Sequence, residues 1–369
     1  MWLGTYERDY PRPRVLIAGL RERGVEVVEH HRPVWERATH KAGSGFLRPL
    51  PLLATGGRWA GAWGRLAVSG GRERPVDAVV AGYPAQPDAV PAWAVARAKR
   101  VPLVVDMMIS LWDTLAGDRA LAGRAAGAAL AGVDRVSLRV ADLVLADTAA
   151  GADWLAERFG VDRRRIAVVP VGAEPERFPP TPLPDGPPRA LFYGKLAPLH
   201  GLTTVLEAAR APGAPPVRLI GDGQLGPWLE AELARDRPQG LTWERWVPYA
   251  DLGGELAAAS VALGVFGTSG KAARVVPNKV WQALAARRPV VTADTPAVRE
   301  VLRNGESALL VPAGDGPALG AALARLAADP GLRERVAAAG HDVWARLGSP
   351  AAAADALLRA LTPLTLRTT

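Results

Sequence analysis

Between Lys271 and Lys279 the chain places three cationic side chains, Lys271, Arg274 and Lys279, within nine residues. They belong to GTSGKAARVVPNK (267–279), a glycine-bearing loop between the apolar run VALGVF (261–266) and a helix signal, VWQALAARR (280–288). Pro277 and Asn278 mark the entry to that helix. Cations gathered where a strand runs into a helix, beside the helix's free N–H groups, suit a phosphate or diphosphate. The same three cations in a surface loop would also serve solubility, and the residues alone leave both readings open.

Two more stretches carry the same chemistry. YGKLAPLHGL (193–202) follows a strand signal and holds Gly194, Lys195, His200 and Gly201. A fixed cation such as Lys195 can stabilise charge developing on a leaving diphosphate, or stand as a solvated surface lysine. His200 could pair with phosphate as imidazolium or donate one hydrogen bond as neutral imidazole. LIGDG (219–223) ends an apolar run in Gly221, Asp222 and Gly223, either a turn that brings backbone close to a ligand or a plain tight turn. Earlier in the chain, VVDMMISLWD (104–113) offers Asp106 and Asp113, while Gly4, Arg12 and Arg14 line the first strand-to-helix turn. Asp113 fits an acceptor contact and fits a capping or turn role equally well. Arg12 and Arg14 fit either a diphosphate contact or outward helix charges.

These residues need a scaffold of buried strands and covering helices, and the chain supplies that rhythm twice. WLG (2–4), VEVVEHH (25–31), VDAVVAGYP (76–84), VPLVVDMMI (101–109), DLVLADT (142–148) and IAVVPVGAE (166–174) contain strand signals, separated by helical patterns at 12–24, 90–100, 123–141 and 149–160. Strands alternating with helices argue a Rossmann-like domain with a mostly parallel sheet. Only Met1, Trp2 and Leu3 supply the first strand, so it is expected to be short or the true start to lie a few codons upstream. Residues 32–75 hold Gly, Pro, scattered Trp and one expected helix around 50–69, fitting a helix packed on the sheet or an acceptor-side, membrane-facing segment.

PERFPPTPLPDGPP (175–188) is a proline-rich linker. A second alternating series follows, with strands at 189–194, 216–223, 241–248, 261–266 and 289–294 and helices at 202–211, 226–236, 251–260, 280–288 and 295–305. Helices at 317–326, 330–346 and 350–361 complete the tail. The expected organisation is 1–174 as an N-terminal domain, 175–188 as linker, 189–345 as a C-terminal domain, and 346–369 as a tail that could cross back to the first.

At 369 residues, with 49% hydrophobic and 22% charged residues, the chain is an ordinary globular protein of two-domain size. The net charge of +8 comes mostly from arginine, and a GC-rich coding bias, which also enriches Ala, Gly and Pro, accounts for it blandly. A basic site for a nucleotide diphosphate or a face drawn to anionic lipid accounts for it functionally. No basic run is interleaved with aromatics as single-stranded nucleic acid requires, so nucleic acid is excluded as a partner. Cysteine is absent, which excludes disulfides and thiol chemistry. With no spanning stretch and no signal-peptide pattern, the expectation is a cytoplasmic protein, with peripheral contact at an anionic membrane left open. The five His show no ligand spacing with Asp or Glu, so no metal site is expected.

Taken in order, YGKLAPLHGL, LIGDG, WVPY (246–249), the PNKVWQALA helix start (277–285) and NGESALLVPAGD (304–315), after the linker entry VVPVGAEPERF (168–178), resemble the retaining GT-B glycosyltransferases of family 4. The resemblance covers nearly the whole chain. It implies two facing Rossmann-like domains with parallel sheets and a cleft between them. It also implies a nucleotide-diphosphate sugar as donor, no metal or other cofactor, and transfer of a hexosyl group to an unknown hydroxyl with retention of configuration. The donor would rest on Gly194, Lys195, His200, Gly201, Gly221, Asp222, Gly223, Lys271, Arg274, Asn278, Lys279 and Gln282, with Val247 by the base and Gly4 and Arg14 approaching from the first domain. Lys195, Arg274, Asp106 and Asp113 are the catalytic candidates.

Three positions depart from the family. Its members commonly carry two glutamates eight positions apart, where this chain has Arg274 and Gln282. A first-domain His falls by register near Met108. A second reading, a catalytically silent GT-B protein that binds nucleotide or glycan beside an active partner, rests on these departures. The state of association is expected to be monomer or homodimer. A nicotinamide-dependent enzyme is disfavoured because WLGTYERDY has no tight G-x-G-x-x-G turn.

Overall fold

The computed structural model describes residues 1–34 and 49–366, and their side chains other than those of 49–58 and 60. The loop expected ahead of the 50–69 helix therefore lies outside the described residues. The chain divides into two compact units, Met1–Pro170 with Pro350–Thr369, and Val171–Ser349. The proline-rich run 175–188 counts with the second.

In the first unit six parallel strands, β1 (Trp2–Gly4), β2 (Glu29–His31), β3 (Val79–Ala81), β4 (Leu103–Asp106), β5 (Leu143–Ala146) and β6 (Ile166–Val168), lie in the order β2-β1-β3-β4-β5-β6. Interior strands read as unbroken apolar runs because helices cover both faces, and LVVD and LVLA are buried throughout. The helices are α1 (Pro11–Glu22), α2 (Pro49–Arg72), α3 (Ala89–Lys99), α4 (Arg124–Val140) and α5 (Ala149–Phe159). The strand expected over 25–31 is only Glu29–His31: it is an edge strand paired to a three-residue β1, and Val25 and Val27 pack on the core instead of joining a ladder. After β4 the chain forms one wide turn of π-helix over Asp113–Asp118, which the periodicity does not signal.

The second unit repeats the plan. Strands β7 (Ala190–Tyr193), β8 (Val217–Ile220), β9 (Thr242–Glu244), β10 (Val261–Leu263), β11 (Val290–Ala293) and β12 (Leu309–Val311) are parallel, in the order β12-β11-β10-β7-β8-β9. Helices α6 (Leu202–Ala208), α7 (Gly226–Arg235), α8 (Leu252–Ala257), α9 (Asn278–Ala285), α10 (Pro296–Arg299), α11 (Gly316–Ala328) and α12 (Pro330–Val343) flank it. Strand β12 was not anticipated; its three apolar residues sit inside a run that ends in the turn PAGD, too short to show a period. The two α/β sheets and their flanking helices are the two-domain GT-B architecture.

Helix α13 (Pro350–Thr365) follows the second unit in sequence but packs on α1 of the first. Its Ala353, Ala354 and Leu357 share a core with Val15, Leu16, Ile17 and Leu20.

Candidate functional site

In a doubly wound sheet, ligand crevices form beyond the carboxyl ends of strands where the winding reverses direction. In the second unit that point is β7, hydrogen-bonded to β8 on one side and β10 on the other. The loops after β7, β8 and β10 therefore rise together, and they carry most of the residues singled out in the sequence.

The loops after β7 and β8 touch backbone to backbone. Gly194 N–H donates to Ile220 O at 3.0 Å and Leu196 N–H to Asp222 O at 3.1 Å. At Gly221 φ is +139°, and an added Cβ would sit 1.9 Å from Gly194 O. No side chain fits there, so the two turns approach only because Gly221 has none. The loop after β10 joins the same crest, with Phe266 N–H donating to His200 O at 3.2 Å and Gly267 N–H to Leu199 O at 3.0 Å.

Into this crest α9 delivers Lys279. Its side chain is buried, at 5% exposure, and its Nζ lies 3.6 Å from the centroid of the Phe192 ring. That Nζ has no hydrogen-bond partner among the described residues. Burial holds its ammonium well below the usual lysine range. A Cβ placed on Gly194 would lie 3.4 Å from His200 Cε1 and 3.8 Å from Lys279 Cε, so Gly194, His200 and Lys279 converge on one point. Lys195, the next residue, is exposed.

Gln282, one turn further along α9, is buried and engaged at both ends of its amide. Its Oε1 accepts from Tyr193 Oη at 2.8 Å, and its Nε2 donates to Tyr249 Oη at 3.0 Å. Tyr249 in turn donates to Glu174 Oε2 at 3.0 Å. Burial pushes the Tyr193 phenol well above its ordinary range, keeping it a donor. This chain of four side chains ties α9 to β7 and to the segment after Pro170. A tyrosine closing a strand before glycine and a glutamate entering a proline-rich run are weak signals, and the sequence reading passed over both.

The remaining second-unit candidates are spread along the same loops. Lys271 is buried and Arg274 half-buried, at the two sides of a 3₁₀ turn, Ala272–Arg274. The Arg274 guanidinium folds back towards Gly270. Asn278 opens α9 after Pro277, half-buried. Asp222 turns away: its carboxylate accepts from Gly223 N–H at 2.8 Å and pairs with Arg245 at 3.1 Å. Val247 is half-buried and its neighbour Trp246 is 72% exposed.

In the first unit the candidates meet different neighbours. Asp106, expected among the catalytic groups, is fully buried and held by Arg12, whose Nε and Nη2 donate to it at 3.0–3.1 Å. Arg12 is likewise fully buried and also donates to the carbonyls of Val169 and Pro170. It is neither an outward helix charge nor open to a diphosphate; the pair is a cross-brace between α1 and β4. Gly4, at φ +144°, makes room for a carboxylate: an added Cβ would stand 2.5 Å from Asp88 Oδ2. Asp88 accepts from Thr5 N–H at 2.6 Å and from Trp63 Nε1–H at 3.0 Å, and burial pushes its carboxyl up to about 6. Arg14 is half-buried on α1.

Asp113 is half-buried at the start of the π-turn, its N–H donating to Ser110 Oγ at 3.0 Å. Asp134, on α4, fixes that loop by accepting from Ser110 Oγ, Leu111 N–H and Trp112 N–H at 2.6, 3.1 and 2.9 Å. Asp88 and Asp134 are the acids the sequence reading missed, since each looks like an ordinary helix charge until its distant partner is known. Among the described residues no three His, Asp or Glu side chains are grouped so as to hold a metal ion. Nor is any helix among them long and apolar enough to cross a membrane.

Comparison with known proteins bears on both units. Residues 187–329 match the family model Glycosyl transferases group 1, and residues 11–172 match Glycosyl transferase 4-like domain. The chain is 34% identical over 202 residues to a phosphatidyl-myo-inositol mannosyltransferase of Mycobacterium leprae, covering 52% of each. It is 30% identical over 179 residues to the lipopolysaccharide core biosynthesis glycosyltransferase LpsE of Rhizobium meliloti, covering 48% of this chain and 51% of that one. The chain thus spans about half the length of the curated relatives it matches. Two solved structures show the same fold at low identity. Sucrose-phosphate synthase from Thermosynechococcus elongatus has a TM-score of 0.69 at 18% identity, over 100% of this chain and 89% of that one. Anabaena Alr3699/HepE, in complex with UDP-glucose, has 0.63 at 15%, over 86% and 84%. The chain belongs to the group 1, family 4 glycosyltransferases.

Proposed function

We propose that this member of the group 1 glycosyltransferases transfers a hexosyl group from a nucleotide-diphosphate sugar to a hydroxyl acceptor, with retention of configuration. The acceptor class is an envelope glycan, a glycolipid or a small metabolite. The observation that carries the reading is the crest after β7, where glycine turns expose backbone and a buried lysine stands without a hydrogen-bond partner. The names of the mannosyltransferase and LpsE relatives, and the UDP-glucose bound to the Anabaena protein, support a sugar nucleotide as the ligand.

In this reading the bond from the sugar's anomeric carbon to the diphosphate oxygen breaks and a bond to the acceptor oxygen forms on the same face. The leaving diphosphate oxygen takes the acceptor proton, so no side chain is needed as general base. Lys195, Lys271, Arg274 and Lys279 neutralise charge on the leaving group, and no metal is required of them. The Tyr193–Gln282–Tyr249–Glu174 chain keeps α9 in place. On the first unit Asp113 is the acceptor contact, positioned by Asp134 through the Ser110–Trp112 loop.

A screen of nucleotide-sugars for hydrolysis and for thermal stabilisation tests the assignment. A matching donor should raise the melting temperature by several degrees at saturating concentration, as any ligand selective for the folded state does. Stabilisation by none of the common nucleotide diphosphates would sink it.

The catalytically silent reading has one observation in its favour: Gln282, at a family glutamate position, already spends both ends of its amide on tyrosines. It predicts a donor that binds and an acceptor panel, membrane extract included, in which nothing is glycosylated.

Peripheral membrane contact is supported by the first unit. Helices α2, α3 and α4 contain one acidic residue between them, Asp134, and it is fully buried. Arg65, Arg72, Arg124 and Arg139 are exposed there, together with Val68, Val90, Trp93, Val133 and Val136. A cationic surface with exposed apolar side chains suits anionic lipid. Equal sedimentation with anionic and neutral vesicles would remove this contact.

A further inference from the structure

The glycine crest of the second unit holds a lysine in an unusual setting. Lys279 reaches in from the first turn of α9, packs its chain against Phe192 of β7 and ends over that ring, with no hydrogen-bond acceptor for its three potential N–H donors. A buried ammonium normally faces a carboxylate or carbonyl, because an uncompensated charge out of water is costly. The titratable groups that approach it are of the wrong kind to compensate. His200, from the loop after β7, converges with it at Gly194. Tyr193, also from β7, spends its one O–H on Gln282 Oε1 at 2.8 Å, with the Lys279 carbonyl 3.4 Å away as the weaker branch. Lys195 stands on the loop after β7, and Lys271 and Arg274 on the segment after β10, so these neighbouring segments bring no carboxylate either. Burial acts on the Lys279 ammonium without any opposing carboxylate.

A diphosphate seated on the backbone of Gly194 and Gly221 would reverse this balance, since it brings the missing anion and the missing acceptors at once. We propose that Lys279 takes up a proton when the donor's diphosphate arrives, so that donor binding is coupled to protonation of this one side chain. The new bond is Nζ–H. The proton comes from solvent through the buffer, and the ammonium that results donates to a diphosphate oxygen. Until then the buried amine avoids an uncompensated charge out of water, and the cation is created where and when its partner is present. This rests on the donor-binding reading above and adds to it a stoichiometry that the reading alone does not require.

The experiment is calorimetric titration with UDP, GDP and ADP in turn, at about pH 8, in Tris and in HEPES, whose ionisation heats differ. Whichever nucleotide binds, the wild-type heats should differ between buffers in the sense of net proton uptake on binding, of at most one proton per nucleotide. His200→Asn should keep that uptake, and Lys279→Met should abolish it while weakening affinity at least tenfold. Wild-type affinity should also improve as pH falls from about 9 to about 7, by up to tenfold per pH unit, and stay flat in Lys279→Met. Binding with heats independent of buffer would overturn the proposal, as would loss of uptake in His200→Asn or its persistence in Lys279→Met. If Lys279→Met binds too weakly to measure, Lys279→Arg decides: its guanidinium stays charged throughout, so binding should persist with heats that no longer depend on the buffer, and uptake that persists would overturn the proposal. Failure of all three nucleotides to bind the wild type would fall on the donor-binding reading instead.

Discussion

Both sheets are parallel and reverse their winding beside their own first strand, β1 in one and β7 in the other, yet the crests there are filled in opposite ways. Beyond β1, β3 and β4 the first unit installs its own anions. Asp88 fills the space over Gly4 and Thr5, and Asp106 is locked to Arg12. Beyond β7, β8 and β10 the second unit installs a glycine contact and a buried lysine, with the nearest carboxylate of the loop, Asp222, turned out to Arg245. Two parallel sheets of different strand order therefore give one crest closed by internal ion pairing and hydrogen bonds and one left short of negative charge. Under the proposed function, the donor's anion goes to the second. Topology marks two places, and the charge of the buried side chains selects between them.

The comparison breaks most visibly if the first crest is stripped of its pairing. Asp106→Asn leaves the Arg12 guanidinium buried against an amide, and losing one member of such a pair typically costs about 3–5 kcal/mol. A clear fall in the urea midpoint of the first unit is expected, with nucleotide affinity of any retained fold unchanged. Unaltered stability would show that Arg12 is satisfied by Val169 and Pro170 alone.

Asp88 sharpens the contrast through pH. Its folded carboxyl, pushed up to about 6 from 3.8, holds a proton more tightly than the unfolded chain does. Its ionisation therefore opposes folding above about pH 6, and the opposition fades as pH falls towards 4. The rise from 3.8 to about 6 corresponds to about 3 kcal/mol at most. Wild-type stability should gain on Asp88→Asn between pH 7 and pH 5, measured as the difference in denaturation midpoint. Parallel pH profiles for the two proteins would refute this.

Lys195→Ala should have the smallest effect on the molecule and a selective effect on chemistry. The side chain is exposed, so stability should stay within about 0.5 kcal/mol of wild type. Turnover should fall at least tenfold, equivalent to about 1.4 kcal/mol of transition-state stabilisation. An unchanged rate at saturating donor would take Lys195 out of the site.

Much of this contrast was legible in the sequence for the second crest and little of it for the first. Lys195, His200, Gly221 and Lys279 advertise themselves because cations and glycines cluster at strand-to-helix junctions within short spans. The depth of Lys279 was not legible: a helix pattern such as NKVWQALA gives a period, and here every residue from Lys279 to Ala285 is buried, leaving no polar face to read. Asp88 and Arg12 were opaque for another reason. Each finds its partner 83 or 94 residues away, and nothing local distinguishes a charge that will be buried from one at a helix surface. Asp106 misled because a polar residue ending an apolar strand is equally the signature of a site and of a brace.

The packing of α13 on α1 bears on how the chain is made. Val15, Leu16, Ile17 and Leu20 emerge early, but the Ala353, Ala354 and Leu357 that cover them emerge only after the whole of 171–349. At typical synthesis rates of about 5–20 residues per second, that interval is on the order of ten to forty seconds. For that time the nascent first unit presents an open apolar stripe while an independent sheet is assembled behind it. A ribosome stalled anywhere within 171–349 would hold a first unit that is nearly complete yet still lacks the cover of its apolar stripe.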